Sequence, residues 1–229
     1  MTLHGRVAAL GRRRRTRAAS GGGGGGGFLH TFTAANHASV VPSADTGQAT
    51  SVLAGTWGID GNTLYLAGSS GGNNNAVVWD VGLADGTLSM LVTGGTSGRL
   101  VFRATDVDNL FIADFTGLAM EVYRRTAGGY FPLVGGSYGG GLTAGDTLAV
   151  LLSGDDIVVQ QNGVTRITTS EAFNNTATKH GVGAENTGAT RYDDLTFTGA
   201  GVPATTARTF AGYTFAGRSF AGRTFVAGA

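Results

Sequence analysis

The amino-acid sequence predicts an all-β protein, an antiparallel two-sheet β-sandwich with extended N- and C-terminal arms. Short runs rich in β-branched and aromatic residues recur through the middle of the chain, with turn signals between them. No window of a dozen residues sustains the 3.6-residue period of a helix. The 229 residues include 41 Gly, 3 Pro and no Cys. This composition favours many tight turns and a fold stabilised by buried apolar surface without disulfides.

The first 27 residues form a basic, glycine-rich arm. Residues 1–27 hold six Arg and no acid, and seven consecutive glycines close the arm, so it has too little apolar surface to offset the entropy of ordering. We expect Arg12, Arg13, Arg14 and Arg15 to dock on an acidic surface of a neighbouring subunit. Nucleic-acid binding is the alternative. Nucleic-acid binding is disfavoured because no aromatic residue interleaves with the arginines. In addition, all 15 acids lie in residues 28–199, where their charge would repel a polyanion.

The sequence also bears on location. The charged start is typical of an export signal, but glycines occupy the place where such a signal needs an apolar segment. We therefore expect synthesis in the cytoplasm without a signal peptide. No apolar run approaches the roughly 20 residues that a membrane helix requires, so no membrane partner is expected.

The first half of the body, which we bound at residues 28–199, predicts seven strands. Thr56–Ile59 and Thr63–Leu66 flank Asp60-Gly61-Asn62, and they form a hairpin because Asp-Gly tolerates the positive φ angles of a tight turn. Asp85-Gly86 separates the third strand from the fourth. The remaining strands are Ala76–Val81, Thr87–Val92, Arg99–Ala104, Asn109–Asp114 and Ala119–Arg124.

The second half continues the pattern. The clearest hairpin joins Asp156–Gln161 to Val164–Ile167 through Asn162-Gly163, a strong signal for a two-residue turn. We expect loops over Gly71–Asn75 and Tyr130–Leu142, and at most a helical turn at Ser170–Phe173. Further strands are predicted at Asp146–Leu152, His180–Ala184 and Tyr192–Phe197. About ten short strands at this spacing predict a sandwich or barrel.

The last thirty residues, 200–229, form a tail in which Phe recurs every five residues. The repeated unit is Thr/Ser-Phe-Ala-Gly-Arg/Tyr. A pentapeptide-repeat coil is one interpretation, but it needs small residues two positions before each Phe, where this chain carries Arg or Tyr. We favour a tail extended over a partner, since each buried Phe contributes about 1.5 to 3 kcal/mol before ordering costs. The contact residues predicted are Phe210, Phe215, Phe220 and Phe225.

The body resembles the concanavalin A-like lectin/glucanase superfamily, in its LamG-type jelly rolls. The resemblance rests on turn and core residues that follow in the family's order from one end of the body to the other. They include Leu53–Trp57, Gly98–Ala104, Leu142–Leu148, Asn162-Gly163 and Tyr192–Leu195. The resemblance implies a jelly-roll β-sandwich, a fold that does not by itself specify a function.

Catalysis is not expected. Members of this superfamily that cut β-glucans carry Glu-x-Asp-x-x-Glu on one strand, and the glutamates here, Glu121, Glu171 and Glu185, do not match it. No Gly-x-Ser-x-Gly motif accompanies the four histidines. We expect no metal site and no cofactor; the sequence leaves only Ca²⁺ open, because many such jelly rolls bind it. The acids for it would be Asp106, Asp108 and Asp114, or Asp193 and Asp194, for which turn capping is the commoner role.

Sugar binding would use exposed aromatic rings and neighbouring amides. Trp57 and Trp79 lie on predicted strands, where core packing is the favoured role. Tyr130 and Tyr138 lie among glycines, and they are the better candidates for stacking on a sugar ring. The loop amides predicted to bind hydroxyls are Asn73, Asn74 and Asn75.

The two arms are similar to those of minor tail proteins of phages that infect actinobacteria. This resemblance implies a virion structural protein, in a minor tail, tail-tip or head-decoration position, located on the phage particle. The arms would dock on other virion structural proteins, and the protein itself would form a homo-oligomer such as a trimer. The jelly roll would be displayed toward cell-surface glycans. The alternative function is a free carbohydrate-binding module of the lectin type.

Overall fold

The computed structural model describes residues 27–71, 74–117, 119–137, 141–185 and 190–200, together with 214–215 and 218–219. These residues contain strands and turns, and none of them is helical, so no membrane-spanning helix is found among them either. The body strands are β1 Phe28–His30, β2 Thr50–Ala54, β3 Thr56–Asp60, β4 Thr63–Gly68, β5 Asn75–Asp80, β6 Gly86–Gly94, β7 Ser97–Asp106, β8 Asn109–Thr116, β9 Ala119–Thr126, β10 Gly129–Ser137, β11 Thr147–Ser153, β12 Asp156–Gln161, β13 Val164–Ser170, β14 Lys179–Ala184 and β15 Arg191–Gly199. A short pair follows, β16 Thr214–Phe215 and β17 Arg218–Ser219.

The body is a sandwich of two antiparallel sheets, as the sequence predicts. The front sheet has the order β10-β9-β8-β7-β14-β5-β2. The back sheet has the order β13-β12-β11-β6-β15-β4-β3, with β1 also paired to β15. The chain passes from one sheet to the other several times, for example from β5 to β6 and from β6 to β7. The last body strand, β15, lies between β6 and β4 in the back sheet.

Two-residue turns build both of the predicted hairpins. Asn162 and Gly163 have φ angles of 53° and 74°, and Gln161 pairs with Val164, which confirms the hairpin of β12 and β13. In the β3–β4 hairpin the turn residues are Gly61 and Asn62, with φ of 58° and 61°. Asp60 instead pairs with Thr63, so the turn lies one residue later than Asp-Gly suggests.

A single core fills the space between the sheets. Trp57 and Trp79 are 1% and 0% exposed, which confirms core packing for both. Each indole N–H is satisfied, because Trp57 donates to the Ala54 carbonyl at 3.0 Å and Trp79 donates to Thr50 Oγ1 at 2.9 Å. Buried aromatic residues with a satisfied polar group supply a large apolar area at no hydrogen-bonding cost.

The structure corrects the prediction of a loop over Tyr130–Leu142. Gly129–Ser137 is the edge strand β10, paired with β9 and interrupted by a register shift between Pro132 and Val134. Glycine and proline lower the strand propensity of this segment, but an edge strand tolerates proline because one side of it needs no donor. The sequence predicts at most a helical turn at Ser170–Phe173. In the structure, β13 ends at Ser170 and residues 173–176 form a turn that is not helical.

The arms fall largely outside the described residues. Arg12, Arg13, Arg14, Arg15, Phe210, Phe220 and Phe225 lie outside them, and Phe215 is described only as the end of β16. Docking of the arms on partners therefore stays a prediction.

Candidate binding site

The candidate site lies on the outer face of the front sheet, the face turned away from the core. Along β8, Phe111, Ala113 and Phe115 point into the core, so Ile112 and Asp114 point outward. A second apolar cluster covers the middle of this outer face, and every one of its six buried residues is at most 3% exposed. They are Ala76, Val78, Val101, Ala104, Leu110 and Ile112.

A charged row crosses one end of this face. Arg99 on β7, Asp114 on β8 and Glu121 on β9 are cross-strand neighbours in register. The Arg99 guanidinium bonds Asp114 Oδ2 at 2.5 Å and also bonds the carboxylate of Glu185, which follows β14. Arg99 and Asp114 are buried, whereas the Glu185 side chain is 33% exposed. Carboxylates thus form the accessible part of the row, with the guanidinium beneath them.

Burial and neighbouring negative charges shift the pKa of Asp114, the central carboxyl group of the row. Loss of solvent raises the pKa of Asp114, and the nearby Glu185 and Glu121 add to this effect against the opposing ion pair with Arg99. The second oxygen of Asp114, Oδ1, is buried without a hydrogen-bond partner among the described residues. The Tyr123 hydroxyl donates to Glu121, and this bond, with partial burial, raises the pKa of Tyr123 to about 12. The row is therefore rich in hydrogen-bond acceptors.

Tyr130 forms an aromatic platform beside the row. Its ring is 40% exposed and stands edge-on to Tyr123, with the ring centroids 6.2 Å apart. The Arg125 guanidinium lies 5.1 Å from the Tyr130 centroid and is held by Asp108 at 2.8 Å. Burial is the main cause that raises the pKa of the Tyr130 hydroxyl, which also lies in the field of Arg99. The ring is thus fixed in orientation and open to solvent.

The structure brings together two of the residues that the sequence predicts. Asn74 lies next to Arg125, and with its amide oxygen turned toward the guanidinium it accepts from Nη1 at 2.7 Å. Asn74 and Tyr130 are 56 positions apart in the sequence, and in the fold they share Arg125 as a neighbour. Tyr138 and Asn73 lie outside the described residues.

Asn75 has a different role from the one predicted. It is 1% exposed, its Oδ1 accepts from the Ser70 backbone N–H at 2.8 Å, and its Nδ2 donates to the Ala184 carbonyl at 3.2 Å. A ligand on the surface would not reach this amide. Asn75 instead fastens the start of β5 to the end of β14, because a buried amide needs partners for both its donors and its acceptor.

Sequence reasoning did not find the charged row. In the sequence, Asp114 is a candidate for calcium and Glu121 a candidate for catalysis, and no motif marks Arg99 or Arg125 as a site residue. The available signal is the alternation at the start of β9, where Glu121 and Tyr123 alternate with the core residues Met120 and Val122. Register across the hairpin at 116–119 would then place Glu121 opposite Asp114.

The acids considered for calcium have other partners. Asp106 accepts from the Asp108 N–H and from Asn109, which is a turn-capping role, and Asp193 accepts from the Asp194 N–H. The part of the chain that the structure describes holds no group of three or more metal-ligating side chains. The expectation that no cofactor binds, with Ca²⁺ left open, stays a prediction.

Within the described residues, the geometry offers no positive sign of hydrolysis. Retaining glycosidases need two accessible carboxyl groups about 5 Å apart. Asp114 and Glu121 face each other on adjacent strands, but Asp114 is 6% exposed and paired with Arg99. A buried carboxylate that a guanidinium holds cannot attack a sugar without first breaking that ion pair.

Comparison with solved structures supports the fold. A Bacillus subtilis carbohydrate-binding module, CBM66, superposes with a TM-score of 0.52 at 16% identity, over 65% of this chain and 95% of the module. A Bacillus licheniformis β-glucanase superposes with a TM-score of 0.50 at 13% identity, over 76% and 98% of the two chains. No family model and no curated protein matches the sequence. The expected likeness of the arms to phage tail proteins gains no support from these comparisons.

Proposed function

We propose that this concanavalin A-like jelly roll is a carbohydrate-binding module that holds its glycan on the outer face of the front sheet. One observation carries the proposal. The exposed ring of Tyr130, oriented by Tyr123 and Arg125, lies beside a row of acceptor groups. This is the combination that a sugar, with one apolar face and a rim of hydroxyls, requires.

Each part of the site has a task in binding. The Tyr130 ring offers a flat apolar surface of low conformational entropy, which suits stacking on the C–H face of a sugar. Glu121, Glu185 and Asp108 present carboxylate oxygens that accept hydrogen bonds from hydroxyls. Arg99 holds Glu185, Arg125 holds Asp108 and the Tyr123 hydroxyl donates to Glu121, so the acceptors are ordered before a ligand arrives.

CBM66, a carbohydrate-binding module, shares the fold over 95% of its own length. That likeness supports a binding role over a structural one for the body. The role in a virion rests on residues 1–27 and 200–229. We place it second, and particle incorporation by chains with and without these arms tests it.

The direct test is the substitution Tyr130→Ala. We expect it to weaken binding to the best glycan of an array by about tenfold or more, which corresponds to about 1.4 kcal/mol, while the fold persists. Tyr65→Ala is the matched control, because Tyr65 also stacks with an arginine, Arg191 at 4.5 Å, but on the outer face of the back sheet. Equal binding by the wild type and Tyr130→Ala would refute the proposed site.

Hydrolysis is tested separately with the same glycan. We expect no release of shorter sugars by the wild type or by Glu121→Gln. Cleavage that disappears in Glu121→Gln would show that the face is catalytic, and it would replace the proposal with that of a glycosidase.

A further inference from the structure

An apolar patch of two residues lies on the outer face of the back sheet. Leu151 on β11 and Val158 on β12 are cross-strand partners, both half-buried and both turned away from the core. Their other cross-strand partners on this face are Thr87 and Thr168. Ser89, Thr196 and Thr198 continue the hydroxyl surface, and Ala149 and Leu91 also lie on this face.

The patch lines a groove at the point where the C-terminal tail begins. The groove has a volume of about 330 Å³, and its wall includes Leu151, Val158, Asp156 and Ala200. Ala200 directly follows the body as the first residue of the tail, and its N–H donates to the Asp85 carbonyl at 3.1 Å. This hydrogen bond holds the first residue of the tail at the edge of the groove.

We propose that the groove is the docking site of the rest of the chain's own C-terminal tail, residues 201–229, which enters it through phenylalanine side chains of the five-residue repeat. The proposal goes beyond the glycan-binding function and does not depend on it. The two surfaces lie on opposite sheets, so either can fail without the other.

The tail has the length to reach the groove. Phe210 follows Ala200 by ten residues, which span at most about 35 Å when fully extended. Tethering so close to the groove gives the tail an effective concentration on the order of millimolar, so even weak contacts are populated. A free partner would have to match that concentration to compete.

Charge also favours the tail. Residues 201–229 carry Arg208, Arg218 and Arg223 and no acid, whereas Asp156 in the groove wall is exposed. In the described part of the tail, Phe215 and Arg218 are backbone partners in the β16–β17 pair. The five-residue repeat places Phe and Arg three residues apart in the sequence, and this combination matches an apolar groove with an acidic rim.

Limited trypsin digestion of the full chain tests the proposal. Docking shields Arg208, Arg218 and Arg223, and cleavage then follows the population of the undocked tail. The double variant Leu151→Thr/Val158→Thr replaces the patch with hydroxyl side chains like those of its other cross-strand partners. We expect its tail to be cut about tenfold faster than that of the wild type. Val164→Thr is the matched control, since Val164 is an equally apolar, 53% exposed residue at the far end of the same sheet.

Two results would overturn the proposal. Equal cleavage of the tail in the wild type and the double variant would show that the groove does not hold it. Protection that increases between about 1 and 100 μM protein would assign the groove to the tail of a second copy. A cleavage rate in Phe210→Ala/Phe215→Ala like that of the groove variant, with Val164→Thr unchanged and no concentration dependence, would confirm it.

Discussion

At the scale of single residues, His180 shows how burial ties stability to pH. The ring stacks on Phe197 with the centroids 4.5 Å apart and is 1% exposed. Its Nε2 donates to the Leu83 carbonyl at 2.9 Å, and Nδ1 accepts from the Arg103 N–H at 3.4 Å. Loss of solvent lowers the pKa of His180 to about 4, and the nearby Arg103 charge adds to this against the Leu83 bond. The folded protein therefore holds the ring neutral.

We predict that the free energy of unfolding falls as the pH is lowered from about 6.5 to 4. In this window the unfolded chain binds a proton at His180 and the folded protein does not, so acid favours unfolding, by up to about 3 kcal/mol at pH 4. Above pH 6.5 both states are neutral there and the effect vanishes. Burial likewise lowers the pKa of His30 and adds loss in the same direction.

Urea unfolding at several pH values measures this dependence. His180→Gln removes the titrating group, so it should be less stable at pH 7.5 but lose less stability on acidification. His37→Gln, at an exposed position, serves as the control. A pH dependence that is the same in the wild type and His180→Gln would contradict the argument.

At the scale of an element, the bulge in β7 turns one arginine into the core. Arg103 has a φ of 48°, and the register with β8 shifts between Phe102 and Asp106. Its side chain is 0% exposed and bonds Asp85 at 2.9 Å and the Gly154 carbonyl at 2.5 Å. The guanidinium thereby connects the β5–β6 loop with the β11–β12 turn. The buried guanidinium of Arg103 therefore depends on Asp85 for its neutralising charge.

We predict an asymmetry between the two partners of this ion pair. Asp85→Ala leaves a buried guanidinium without its counter-charge and should cost about 3 to 5 kcal/mol of stability. Arg103→Met leaves only a carboxylate that is 45% exposed and can be solvated, so it should cost less. The double variant should resemble Arg103→Met. Chemical denaturation of the three variants measures the effect, and equal losses in the two single variants would count against it.

At the scale of the whole molecule, the core defines where the body begins. Phe28 is 3% exposed, pairs with Phe197 through β1 and β15, and lies 5.8 Å from the Trp79 ring. The core cluster extends from Phe28 to Phe197. Every buried side chain of that cluster is thus contributed by the jelly roll itself.

We predict that deletion of residues 1–26 changes the free energy of unfolding by less than about 0.5 kcal/mol, because their sequence offers little apolar surface for burial and residues 28–197 supply the described core. Phe28→Ala, which alters the first core residue, should cost about 3 to 5 kcal/mol. Thermal and urea unfolding compare the two. A large loss on deletion of the arm would mean that it packs on the body.

The sequence by itself determined the fold class and several of its parts. Alternation and turn chemistry are local properties, so the hairpin at Asn162-Gly163 and the buried positions of Trp57 and Trp79 followed from them. The edge strand β10 did not. Its glycines and Pro132 disfavour a strand, and only pairing with β9 overrides that preference.

The candidate site was decided almost entirely by the tertiary structure. Tyr130 and Asn74 could be chosen from composition, but their common neighbour Arg125 and the row of Arg99, Asp114 and Glu121 depend on register across four strands. Register is set by which strands pair and on which face each side chain emerges, and no short stretch of sequence carries that information. The same holds for the groove at Ala200, which exists only because β15 ends beside β6 and β6 pairs in turn with β11.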